Sequence, residues 1–105
     1  MNATVLSPRA RAHLKGLAHP MEPVVLVGAE GVSPGVVKAV SVALEDHELI
    51  KARLGQGFVG DRFEAAAALA EASGAAVVQV IGRVIALYRR RCADQPKRAR
   101  INLPS

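Results

Sequence analysis

A chain of 105 residues and 11.0 kDa has room for one core and not two. Half of its residues are hydrophobic but only 3% are aromatic (Phe58, Phe63 and Tyr88), so it must fold around Ala, Val, Leu and Ile and does not suit a platform of stacked rings. The formal net charge of +5 is uneven: residues 1–20 carry +3, residues 21–82 carry −4 and residues 83–105 carry +6, a pattern of basic ends that suits a polyanionic partner or a solubilising surface.

Ser7-Pro8 opens the first predicted helix, because Ser can cap and Pro at the first helical position gives up no needed hydrogen bond. Ala10, His13, Leu14 and Leu17 fall on one face, with Arg11 and Lys15 on another, and the helix ends near Ala18. Val24 to Val27 is apolar without alternation, which predicts a strand covered on both faces. Gly28-Ala29-Glu30-Gly31 interrupts it. Ser33-Pro34 repeats the start signal, and Val36, Val37, Val40, Ala43 and Leu44 carry a second helix to Asp46 or His47. Leu49 to Leu54 alternates as a second strand, and Gly55, Gly57 and Gly60 mark a loop. Asp61 with Glu64 reads as a capping box for an Ala-rich third helix that stops at Gly74. Ala75 to Ile81 and Val84 to Tyr88 are close enough in sequence to require an antiparallel hairpin around Gly82. The tail, residues 92–105, is basic and is expected to be mostly disordered, with Ile101 and Leu103 as its only apolar anchors. Residues 1–91 form the single domain.

The order is α-β-α-β-α-β-β. Two β-α-β units predict that strands 1, 2 and 3 run parallel, with the second and third helices on one face. The first helix then covers part of the other face, which would account for the continuous apolarity of strand 1.

No catalytic constellation stands out. His13, His19 and His47 show no metal-ligand spacing, and His13 is expected to be a partly buried packing residue on the first helix. His47 sits at a helix end, where an imidazole complements the dipole. Cys92 is the only cysteine, which excludes an intrachain disulfide and a cysteine metal cluster. The first 20 residues lack an apolar h-region, and no uncharged apolar run approaches the ~18 residues of a membrane span, so a cytoplasmic protein with no membrane partner is expected. No catalytic residue, cofactor, metal or small-molecule substrate is expected.

The informative segment is Gly28-Ala29-Glu30-Gly31. Glycines let the backbone approach a ligand, and the helix that follows offers free N–H groups to an anion. The pattern is neither a Walker loop nor GxGxxG, and taken alone a plain strand-to-helix turn explains it. The strand topology adds weight, because parallel strands bring Arg53, Arg62 and Arg83 to the same sheet edge as the loop. An antiparallel first helix would return Arg9 and Arg11 there as well. Several bases around an amide-rich loop fit an RNA backbone better than a small-molecule pocket.

Four motifs stand in order. They are Leu14-Lys15-Gly16-Leu17-Ala18-His19-Pro20; Pro23-Val24-Val25 through Val27-Gly28-x-x-Gly31; His47-Glu48-Leu49-Ile50-Lys51; and Val78-Gln79-Val80-Ile81-Gly82-Arg83 through Leu87-Tyr88-Arg89. Over residues 6–103 the chain resembles the CRM-domain family, in particular its stand-alone YhbY-type bacterial RNA-binding proteins. The resemblance implies an α/β two-layer fold like the C-terminal domain of translation initiation factor 3, with a mixed four-stranded sheet in the order 1-2-4-3. It also implies RNA binding without enzymatic activity, and association with precursors of the large ribosomal subunit through ribosomal RNA. Mapped onto this sequence, the RNA-binding surface comprises Gly28, Ala29, Glu30 and Gly31 with Arg11, Lys15, Lys51, Arg53, Arg62, Arg83, Arg89, Arg90 and Arg91. Glu22 and Glu30 depart from the neutral or basic residues of the family pattern, and an acid in a phosphate cradle costs affinity; Lys97, Arg98 and Arg100 offer compensating charge. The alternative function is an adaptor that docks on ribosomal proteins. Steep salt dependence would favour RNA over apolar docking.

Overall fold

A computed structural model describes residues 6–90 together with Ile101 and Leu103. The elements are α1 (Pro8–Ala18), β1 (Val25–Val27), α2 (Pro34–His47), β2 (Leu49–Leu54), α3 (Arg62–Ser73), β3 (Ala76–Ile81) and β4 (Val84–Tyr88). The three helix starts follow from local chemistry. Ser7 Oγ accepts from the Ala10 amide at 3.1 Å, Ser33 Oγ from the Val36 amide at 3.2 Å, and Asp61 Oδ2 from the Glu64 amide at 2.8 Å. Gly74 closes α3 in the left-handed conformation at φ 72°.

The sheet order is β1-β2-β4-β3, as the family resemblance implies. β1 lies parallel to β2, while β4 is antiparallel to both β2 and β3. β3 therefore runs in the same direction as β1 and β2 without adjoining either. The carboxyl ends of β1, β2 and β3 all emerge at one edge, which we call the loop edge.

Two cores flank the sheet. On one side, Val40 and Leu44 of α2 and Ala65, Ala66 and Leu69 of α3 pack on Val25, Val27, Ile50, Ala52, Leu54, Ile85 and Leu87. The run of alanines lets α3 lie close to β3. On the other side, Leu14 and Ala18 of α1 pack on Leu49, Val78, Ala86 and Tyr88, joined by Leu6, Met21, Ile101 and Leu103. A bulge between Val77 and Gln79 turns both Val78 and Gln79 toward this side.

Two expectations change. β1 is not covered on both faces: Val25 and Val27 are buried, but Leu26 is 64% exposed and Val24 54% exposed. The core beneath α1 draws on β2, β3 and β4 and takes no residue from β1. An eleven-residue helix cannot roof a four-stranded sheet. His13 is exposed rather than packed, because the buried stripe of α1 is Ala10, Leu14 and Ala18. The tail expectation falls mostly on residues outside those described, but Ile101 and Leu103 pack against the second core, and the Ile101 amide donates to Glu48 Oε1 at 2.7 Å. Glu48 is itself buried, at φ 63°.

Candidate functional site

The loop edge brings two glycine-rich loops together. In the first, Gly31 N–H donates to Gly28 O at 3.0 Å and Ser33 N–H to Gly31 O at 2.9 Å, a tight turn that leaves Ala29 and Glu30 exposed at its tip. Gly31 sits at φ 69°, where a side chain would be strained. The second loop, residues 55–60, lies against the first. Gly55 N–H donates to Val27 O at 2.8 Å. A Cβ at Gly57 would come within 3.4 Å of the Ala29 side chain, and one at Gly55 within 3.3 Å of Leu26 Cδ1. Gly55 and Gly57 thus serve close packing on residues 26–29, a role their composition alone did not disclose, while Gly60 sits at φ 140° beside Phe58.

The basic residues divide by what they already hold. Arg83 Nε donates to Leu54 O at 3.0 Å and its Nη2 to Gly55 O, so it braces the root of the second loop. Arg62 Nη1 donates to Gly82 O at 3.3 Å while its guanidinium lies 4.9 Å from the Phe63 ring centroid. Both keep remaining donors at the exposed loop edge. Arg53, exposed near the end of β2, has no hydrogen-bond acceptor among the described residues. Arg53, Arg62 and Arg83 thus lie along the same sheet edge as the Gly28–Gly31 turn, spread from β2 to the β3–β4 connection.

Other predicted residues lie apart. Arg11 Nη1 donates to Val77 O, at the start of β3 and away from the loop edge. α1 crosses the sheet from β3 toward β2, where its carboxyl end meets Lys51, so its amino-terminal bases do not return to the loop. Lys51 Nζ donates to His19 O at 3.2 Å and Met21 O at 3.1 Å, tying the α1–β1 connection to β2. Lys15 is exposed on α1. Arg89 is a structural residue at the opposite edge. Its guanidinium donates to Ser41 Oγ, Ser41 O, Ser73 O and Glu45 Oε1 at 2.8–3.2 Å, clamping α2 to the end of α3. Arg90 is exposed at that same far edge, and Arg91 lies outside the described residues.

Among the described residues no group of three or more His, Cys, Asp or Glu could hold a metal ion, and no helix is long and apolar enough to cross a membrane. An open groove of about 920 Å³ lies between α2 and α3 and includes Val37, Ala68 and Ala72. A smaller cleft of about 260 Å³ lies between His19, Lys51, Gln79, Ile81, Val84 and Ala86.

Known proteins resemble the chain along its length. An "RNA-binding protein" of Haemophilus influenzae is 37% identical over 101 residues, spanning 96% of this chain and 97% of its own. The Bacillus subtilis protein named "Probable RNA-binding protein YqeI" is 33% identical over 100 residues, spanning 95% and 100%. The solution structure of Staphylococcus aureus protein SAV1595 superposes with a TM-score of 0.76 at 34% identity, covering 95% of this chain and all of that one. The family model for the CRS1 / YhbY (CRM) domain matches residues 6–89, from the residue before the Ser7 cap to the Arg89 clamp, and the chain belongs to that family.

Proposed function

We propose that this protein is a non-enzymatic RNA-binding protein that engages ribosomal RNA during assembly of the large ribosomal subunit, with the Gly28–Gly31 loop at the centre of its contact surface. The observation that carries this reading is the meeting, at one sheet edge, of an exposed glycine turn, the amino end of α2 and Arg53, Arg62 and Arg83. Backbone amides and guanidinium groups converging from separate elements are suited to phosphate oxygens, which accept from both. The names of the Haemophilus and Bacillus relatives support RNA as the partner class. In this reading the basic tail adds phosphate contacts, and Arg11, Lys51 and Arg89 serve the fold first.

The test is crosslinking of the tagged protein in cells followed by sequencing of the attached RNA, paired with binding of the purified protein to large-subunit ribosomal RNA across a salt series. Crosslinks concentrated in large-subunit ribosomal RNA, with affinity falling steeply as salt rises, are expected. A flat salt profile would favour the adaptor, and crosslinks spread over unrelated transcripts would remove the ribosomal assignment.

A further inference from the structure

The uncovered part of the sheet has a composition that phosphate binding does not require. On the α1 side of the sheet, next to the loop edge, Leu26, Arg53, Val84 and Ile81 form one row across all four strands. Leu26 pairs with Arg53, Arg53 with Val84, and Val84 with Ile81. At ordinary strand spacing the row is about 14 Å wide. α1 packs further back, on Leu49, Ala86 and Tyr88, and leaves the row open. Leu26 is 64% exposed and Ile81 61% exposed. Single exposed aliphatics are commonplace, but a row of them in register with an unengaged arginine is a surface.

We infer that this row is a seat for unpaired bases of the RNA whose backbone passes the Gly28–Gly31 loop; the inference rests on the function proposed above. Continuity is the first argument. Leu26 is two residues before Gly28, and the second loop touches it at Gly55, so the row and the turn form one surface. Charge is the second. Arg53 stands inside the row with its guanidinium uncommitted among the described residues, able to stack on a base or to reach a phosphate. The four positions of the row hold no acid, and a nearby acid, Glu22, shares a cleft beside β1 with Leu26 and Arg53. Size is the third. Four partly exposed side chains fall well short of the ~800 Å² per partner buried in a stable protein interface, but they suit flat bases of a strand held elsewhere by its phosphates. Tyr88 is buried, so apolar contact on this face comes from aliphatic side chains and the arginine plane rather than from rings.

The experiment compares three probes by fluorescence anisotropy: a short oligouridylate, the same oligomer with abasic riboses, and an RNA duplex of equal length. The parent is expected to bind the intact oligomer about fivefold to tenfold more tightly than the abasic one, the low end of what base stacking contributes. The double variant Leu26→Ser/Ile81→Ser is expected to lose that difference while keeping its affinity for the abasic oligomer and the duplex, and its salt slope. Arg53→Gln is expected to lower the slope on the intact oligomer by about 0.7 if it meets a phosphate. Ile81→Thr, which keeps a β-branched residue in the strand, repeats the measurement should the double variant lose its fold, as judged by circular dichroism. Equal binding of intact and abasic oligomers by the parent overturns the inference, needs no variant, and leaves the face to a protein partner. Failure to bind any of the three at low salt overturns the proposed function as well.

Discussion

Arginines that look alike in the sequence do different work once their acceptors are known. Arg89 donates to two helices through Ser41, Glu45 and Ser73, and its side chain is only 15% exposed. Arg89→Ala would leave the Ser41 carbonyl in the middle of α2 and the Ser73 carbonyl at the end of α3 without this donor, at a cost of about 2–4 kcal/mol. Urea unfolding should show that loss, with RNA affinity of the folded protein unchanged; a variant as stable as the parent would deny the clamp. The loop glycines separate in the same way. Gly31 holds φ 69°, so Gly31→Asp is expected to lose about 1 kcal/mol of stability from backbone strain before any effect on binding. Gly28 has no positive φ, and a Cβ added there would meet no atom within 4 Å, so Gly28→Asp probes the phosphate cradle without straining the turn. Its melting temperature should match the parent's while RNA binding weakens. Glu30→Lys should tighten binding by about 0.2–1 kcal/mol, the worth of an exposed charge contact. If both variants bind as the parent does, the loop is only a turn.

Elements were legible where their signals are local. Ser7-Pro8, Ser33-Pro34 and Asp61 cap the three helices they announce, since a cap needs only the next three residues. The antiparallel hairpin of β3 and β4 follows from its short connection. The position of β4 between β2 and β3 does not follow from β-α-β logic, and only the family resemblance supplied it. Nor did the sequence disclose which strands α1 would cover, because that depends on the crossing direction of the helix; Leu26 therefore read as core and is surface. The meeting of Arg53, Arg62 and Arg83 at the loop edge was legible because strand direction determines it, whereas Arg11 was misplaced with the helix that carries it. The tail shows the same limit. Ile101 and Leu103 pack on the core beneath α1, and the Ile101 amide meets the buried Glu48 carboxylate. Deleting residues 101–105 should therefore cost about 1–3 kcal/mol, from lost aliphatic burial and a lost donor to Glu48. A thermal melt identical to the parent's would show that these anchors contribute nothing to the domain.

At the scale of the whole molecule the basic groups fall at two poles. Arg53, Arg62 and Arg83 gather at the loop edge, while Arg89 and Arg90 end β4 at the other, and Ile101 is fastened near that far edge through Glu48. The body measures 36 × 27 × 25 Å, and the six residues of β2 alone separate the poles by about 20 Å. That is more than twice the ~8 Å screening length at physiological salt, so neither pole acts on a phosphate held at the other. Net charge therefore does not determine affinity; local contacts at each pole do. Replacing Lys97, Arg98 and Arg100 together with Gln removes tail charge and keeps Ile101 and Leu103, which truncation would not. On single-stranded RNA the triple variant should lower the log–log salt slope by up to about 2, and Arg53→Gln by about 0.7. Phosphate contacts that form independently should add in the combined variant. Titrations from low to high salt on the parent, each variant and the combination provide the check. Additive slopes would show one RNA meeting both Arg53 and the tail bases. If the tail variant binds with the parent's slope, the tail makes no phosphate contact and the loop edge carries binding alone.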